Sequence, residues 1–266
     1  MKQRLIFMVA LALIALTLAA CAQPTAQPAE GLLGEIHSRG KLVVGTSADY
    51  PPYESVDASN QFVGFDMDLV REVAKRLGVE AEIKDMAFDA LIAAVQEKKV
   101  DAVIAAMQAS PAREEKVDFS TPYNWQKDGF VVAADSPIVM NKPEDAAGHS
   151  IGVQTGTIQE QWVLDHLVPL GTKEDQIFRY ERVEQGALDV QNGRIEILFI
   201  NASPAQEHAD KLGLKLALVT SDTVVAGQAI ALPQGEAALK AEIDRILSEL
   251  EKEGFIDQLR QKYGIP

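Results

Sequence analysis

The chain has 266 residues, 47% of them hydrophobic and 24% charged, a globular composition with enough length to bury a core as one large domain or two lobes. A formal net charge of −14 argues against nucleic-acid binding, which needs basic patches, and against adhesion to anionic lipid by charge alone. A single cysteine rules out a disulfide framework.

Lys2 and Arg4 open the chain, and an almost wholly apolar run follows over residues 5–20. Basic, then apolar, then small residues before a cleavage point is the order of a secretory signal, expected here over residues 1–20. The run is short against the ~20 residues of a membrane span. Leu18-Ala19-Ala20-Cys21 resembles the lipobox of bacterial lipoproteins. That resemblance implies cleavage before Cys21, thioether lipidation of its sulfur, export, and attachment to the outer face of the cell membrane or in the periplasm through the lipid alone. Residues 22–30, A-Q-P-T-A-Q-P-A-E, are small and polar with proline, so a flexible tether is expected over residues 21–34.

Strand-like and helix-like segments then alternate. Residues 41–44 form a short apolar run ending at Gly45. Residues 65–77 carry apolar side chains at close to a 3.6 period and stop at Gly78. Strands are expected at 79–83 and 102–106, with a helix at 88–97. Ser110-Pro111 reads as an N-cap with proline at the first helical position. In a second unit, strands are expected at 130–134, 151–153, 177–180, 195–200, 214–219 and 229–232. Thr157 to Glu160 fits a capping box that starts a helix to about residue 167. Further helices are expected at 183–192, from a Ser203-Pro204 cap, and at 236–263 with a break near Gly254. Alternation of this kind implies an α/β fold of mostly parallel sheets flanked by helices. Ligands of such sheets sit outside the carboxyl ends of the strands, which directs attention to residues 46–53, 107–113, 155–159 and 201–203.

Arg113 is the first candidate there. A planar guanidinium holds a carboxylate through two parallel hydrogen bonds, and free amides near a helix start also favour an anion. The competing reading is a solvated helix arginine paired with Glu114 or Glu115. Backbone amides of Thr157 and Ile158 are candidates for the other side of the same anion, against a reading as a plain helix cap, and Gln159 is a polar side-chain candidate.

The stretches G-T-S-A-D-Y-P-P-Y-E from Gly45, G-F-D-M-D-L from Gly64, F-D-A-L-I from Phe88, S-P-A-R-E-E-K-V-D-F-S-T-P-Y from Ser110, I-G-V-Q-T-G-T from Ile151 and N-G-R-I-E from Asn192 resemble, in order and spacing, the family 3 periplasmic solute-binding proteins, which bind polar amino acids. The resemblance covers residues 41–263. It implies a type II periplasmic-binding-protein-like fold: residues 35–124 plus 228–266 as lobe 1, residues 125–227 as lobe 2, and two crossover strands between them. Its ligand-binding set maps to Ser47, Tyr50, Phe88, Ala106, Gln108, Arg113, Thr157, Ile158, Gln159 and Asn201. Tyr50 and Phe88 would be aromatic walls, against a reading as ordinary core, and Arg113 the carboxylate grip. The implied partners are a small amino acid or related carboxylate and the permease subunits of an ABC importer. A monomer without cofactor or metal is expected.

Two departures matter. Many family members carry an aspartate for the ligand's α-ammonium where this chain has Asn201, so that role passes to another carboxylate such as Asp49, or the ligand lacks a free ammonium. Ser47 stands where binders of basic amino acids have aspartate. Two other functions compete. A cyclohexadienyl dehydratase on this fold would need a cleft carboxylic acid kept protonated by burial, for which Glu54, Glu160 and Asp49 are the nearby acids. A ligand sensor would act in trans on a membrane receptor, because the chain stops at Pro266 directly after the last expected helix. The P-loop, the dinucleotide fingerprint and the H-E-x-x-H pair are missing from the sequence, and His37, His149, His166 and His208 are scattered.

Overall fold

A computed structural model describes residues 31–224 and 226–266. The signal segment, Cys21 and the tether up to residue 30 lie outside the described residues. The last residues expected in the tether are not tether. Helix α1 (Leu32–Arg39) buries Leu32, Leu33 and Ile36 on one face and ends on left-handed Gly40. Its apolar stripe gains more by packing on the first lobe than by staying in water.

The first sheet is built from β1 (Lys41–Thr46), β5 (Glu80–Asp85), β6 (Ala102–Val103), β7 (Asp118–Phe119) and β13 (Ala231–Leu232), in the order β5-β1-β6-β13-β7. β5, β1 and β6 run parallel, while β13 enters antiparallel to both its neighbours. Between β1 and β5, a small antiparallel sheet of β2 (Asp49–Tyr50), β3 (Glu54–Val56) and β4 (Phe62–Val63) leads into helix α2 (Phe65–Arg76). α2 starts directly after Gly64, whose φ of 131° and a would-be Cβ only 2.1 Å from the Tyr53 carbonyl oxygen exclude any side chain. Phe65, Leu69, Val70, Val73 and Ala74 of α2 are buried at helical spacing. Helix α3 (Leu91–Gln96) is entered through a 3₁₀ turn at Phe88–Ala90 and covers the core around Val103, Met107 and Val117. β6 is shorter than the expected strand over 102–106. Ala106 turns to φ 46° so that its amide can donate to Asp66 Oδ2 at 2.7 Å.

The second sheet holds β8 (Asp128–Ala133), β9 (Ile151–Gln154), β10 (Ile177–Tyr180), β11 (Ile197–Asn201) and β12 (Leu214–Thr220), in the order β10-β9-β11-β8-β12. β10, β9 and β11 are parallel; β8 runs antiparallel between β11 and β12. Phe130 and Phe199 face one another in that register and stack at 4.1 Å between ring centres, with Trp162 edge-on. Burying each such ring stabilises by roughly 1.5–3 kcal/mol. Helices α5 (Ile158–Trp162), α6 (Val183–Gln191) and α7 (Ala202–Leu212) follow β9, β10 and β11. α7 begins two residues earlier than a Ser203-Pro204 cap would set it, with Asn201 as its N-cap.

The chain crosses between the sheets twice, after β7 and before β13. The crossings lie side by side: Gln228 donates its amide to Asn124 O at 2.8 Å, and Tyr123 donates its amide to Gln228 O at 2.9 Å. After β13, helices α8 (Ala237–Lys252) and α9 (Phe255–Lys262) return to the first lobe, separated by Gly254 at φ 72°. The fold is the type II periplasmic-binding-protein-like architecture that the resemblance implies, two α/β lobes joined by two crossings.

Candidate functional site

The strand ends of both sheets converge on one cleft. All ten candidate residues line it. Ser47, Tyr50, Phe88, Ala106, Gln108 and Arg113 come from the first lobe; Thr157, Ile158, Gln159 and Asn201 come from the second. Glu54, Ala105 and Gln154 complete the lining; none is in the expected ligand-binding set, and the sequence singles out Glu54 only as a nearby acid for a dehydratase.

Arg113 sits in α4 (Pro111–Glu114), a single turn. The expected free amides are not available at this residue, because Arg113 N and Glu114 N both bond to Ser110 O. The side chain is what matters. Arg113 Nη1 donates to Gln108 O at 2.8 Å, Nη2 donates across the cleft to Gly156 O at 3.0 Å, and the guanidinium lies 5.2 Å from the centre of the Phe88 ring. Among the described residues no carboxylate pairs with it; Glu114 and Glu115 do not. Desolvation alone pulls it down to about 10. A desolvated cation with unused N–H groups is a built anion receptor.

The opposite wall starts at β9. Gly156, at φ 77°, lets the strand turn into α5; a Cβ there would come 2.9 Å from Asp89 Cβ on the other lobe. Thr157 caps α5 by accepting Glu160 N at 3.2 Å, and Glu160 Oε2 accepts Gly156 N at 2.7 Å, so the capping box closes one residue early. The Thr157 amide leans on Gln154 O at 3.4 Å, while Ile158 N is the first helical amide and has no acceptor within its helix.

Asn201 ends β11 directly opposite Asp128 of β8. Its Nδ2 donates to Asp128 Oδ1 at 2.8 Å, as does Gln159 Nε2, and Thr223 Oγ1 donates to Asp128 Oδ2 at 2.5 Å. Burial pushes the Asp128 carboxyl up and these three donors draw it back. Tyr50 reaches over from the first lobe: its hydroxyl accepts Asn201 N at 2.9 Å and donates to Asn201 Oδ1 at 3.2 Å.

Asp49, the carboxylate proposed to replace an aspartate at 201, is committed elsewhere. Its Oδ2 accepts Val183 N at 2.6 Å, its Oδ1 accepts Ser47 Oγ at 2.8 Å, and Arg182 lies 3.5 Å away. Arg182 in turn grips Asp85 with two bonds of 2.9 Å. This cluster ties lobe to lobe at the rim and leaves Asp49 outside the cleft lining.

Glu54, 1% exposed, lines the cleft with Asp66 behind it. Glu54 Oε2 and Asp66 Oδ1 have no hydrogen-bond partner among the described residues, and Asp66 Oδ2 accepts Ala106 N and the Tyr123 hydroxyl. Burial raises both carboxyls, Glu54 the further because the Asp66 charge adds to it. The coupling of the two carboxyls favours the protonated form of Glu54 over that of Asp66. Gln108 Oε1, buried in the cleft wall, also lacks a partner. The sequence held a signal for Glu54 in its P-P-Y-E motif. Asp128 had only an acid at the start of an apolar strand, which reads as a solvated strand end.

Residues 42–265 match the bacterial extracellular solute-binding proteins, family 3. The chain is 32% identical to the arginine-binding extracellular protein ArtP of Bacillus subtilis over 99% of this chain and 98% of that protein. It is 28% identical to the L-cystine-binding protein TcyJ of Escherichia coli over 88% and 86%. Among solved structures, an ancestral arginine-binding protein bound to arginine superposes with a TM-score of 0.79 at 32% identity, covering 85% of this chain and 98% of that one. The ancestral amino acid-binding protein AncCDT-1, a precursor of cyclohexadienyl dehydratase, gives 0.76 at 29% identity over 87% and 98%. With its cleft, its lobes and these relatives, the chain belongs to the bacterial extracellular solute-binding proteins of family 3.

Proposed function

We propose that this chain is the extracytoplasmic substrate-binding component of an ABC importer, capturing a carboxylate-bearing amino acid between its two lobes. The observation that carries this is Arg113, a desolvated guanidinium without a carboxylate partner among the described residues, already bridging to Gly156 of the opposite lobe. A ligand carboxylate there joins both lobes, so closure follows from its higher affinity for the closed state. Tyr50 and Phe88 offer ring faces for the side chain, and Ile158 N supplies a second donor to the anion. Relatives named for arginine, cystine and histidine support an amino acid as ligand. The permease would read the closed form.

Export and anchoring rest on the leader and on Cys21, which lie outside the described residues. Replacing Cys21 by alanine is expected to abolish incorporation of labelled lipid; label retained on that variant would refute the anchor.

A thermal-shift screen of the twenty proteinogenic amino acids tests the function. A cognate ligand at a hundredfold its Kd stabilises by about 2.7 kcal/mol, an upward shift of several degrees. No shift with any of them would reject the proposal. A dehydratase reading has one observation in its favour, the buried Glu54 carboxyl in the cleft wall, which burial and the Asp66 charge push well above its usual range. It ranks second because Glu54 is coupled to Asp66 rather than set apart as a catalytic acid, and turnover of prephenate or arogenate would reverse the order.

A further inference from the structure

Directly behind the cleft wall lies a second ionisable group, Asp128, that has no ionic partner among the described residues. Asp128 is fully buried, and every group on it is neutral: Asn201 Nδ2, Gln159 Nε2 and Thr223 Oγ1. A carboxylate can only accept, so both carboxamides must turn their NH2 groups to it. An amide that points its nitrogen at Asp128 points its oxygen away. Asn201 and Gln159 both line the cleft, so the wall opposite the Arg113 side presents amide oxygens backed by a buried negative charge.

We propose that Asp128 positions the ammonium site of the ligand: it fixes Asn201 Oδ1 and Gln159 Oε1 as acceptors and supplies, from one strand behind, the counter-charge that Asn201 itself lacks. The ligand class is then a zwitterionic α-amino acid, with its carboxylate on Arg113 and its ammonium on the two amide oxygens. The carbonyl of Asn201 has a second lone pair beside the one that takes the Tyr50 hydroxyl, so the bond from Tyr50 does not block the site. Asn201 and Asp128 are direct partners across antiparallel strands, which explains how a carboxylate on β8 can stand in for one on β11.

This inference rests on the proposed function and deepens it. Its test is calorimetric titration of the whole exported chain with each of the twenty L-amino acids, then with the deaminated counterpart of the tightest binder, which keeps the carboxylate and side chain and has hydrogen for the ammonium. The wild type is expected to prefer the amino acid by at least about thirtyfold. Asp128→Asn should weaken the amino acid about tenfold, the difference between a charge-backed and a neutral hydrogen bond, and move the deaminated acid by less than about threefold. The pair Asp128→Asn with Asn201→Asp returns the carboxylate one strand over and should restore affinity to within about threefold. That rescue also separates the role from a structural one, since a misfolded single variant would not be repaired by a second charge change. Equal losses for both ligands, or no rescue, overturn the inference. A wild type that binds both ligands alike overturns it too, while leaving the Arg113 assignment standing. If no amino acid binds, it falls together with the proposed function.

Discussion

The rim and the interior of the cleft handle charge in opposite ways. At the rim, Arg182 is matched by Asp85 and Asp49, and Asp49 also caps the first amide of α6. In the interior, Arg113 on one wall and Asp128 on the other are each desolvated and held by neutral groups only. A partly exposed ion pair such as that of Arg182 and Asp85 is worth about 0–1 kcal/mol, whereas an unpaired buried charge costs several kcal/mol. The rim thus biases closure gently, while the interior holds a larger unfavourable energy that a ligand of opposite charges relieves. Closure driven by ligand follows from that asymmetry.

The comparison breaks at its strongest point if the interior is neutral to ligand. Arg113→Ala should weaken amino-acid binding by at least about a hundredfold, corresponding to loss of a buried charge-assisted pair of 2–5 kcal/mol, while far-UV circular dichroism stays unchanged. Near-native affinity by calorimetry would end the carboxylate assignment. Asp128→Asn comes next, at about tenfold. The rim should matter less. Arg182→Ala is expected to lower affinity by under about tenfold and to enlarge the ligand-free radius of gyration in solution scattering, and 1 M salt should narrow its difference from the wild type. A loss as large as that of Arg113→Ala would invert the comparison.

The smallest effect concerns Glu54, whose carboxyl is held well above the usual 4.5 by burial. A raised carboxyl contributes stability that is complete below about pH 4.5 and is lost as pH rises through the folded value. Glu54→Gln keeps a neutral group beside Asp66 at every pH. Its stability relative to the wild type should therefore rise between pH 4.5 and pH 8, read from urea midpoints. A difference independent of pH would contradict the raised carboxyl.

Much of this was legible because the relevant signals are local. Apolar runs and 3.6-residue periods mark the strands and helices, and the rule that ligands sit at carboxyl ends of strands selects the loops holding eight of the ten candidates, with Phe88 and Ala106 supplied by the family resemblance. What was not legible depends on distant partners. β2, β3 and β4 are two or three residues long, too short for any period. The first turn of α1, up to residue 34, reads as tether until the lobe that buries Leu32 and Leu33 is present. Asp128 becomes a buried anion only when Asn201, 73 residues on, and Thr223, 95 residues on, fold over it. The Ser110-Pro111 start is where the sequence puts it, whereas the Ser203 cap misled for a related reason: its side chain follows a tertiary partner, donating to Gln126 Oε1 at 2.9 Å.

A crystal structure with the tightest amino acid bound tests the account most directly. It should place the ligand carboxylate within hydrogen-bonding distance of Arg113 and the ammonium within that distance of Asn201 Oδ1 and Gln159 Oε1. A carboxylate held away from Arg113, or an ammonium seated on Asp49, would contradict it.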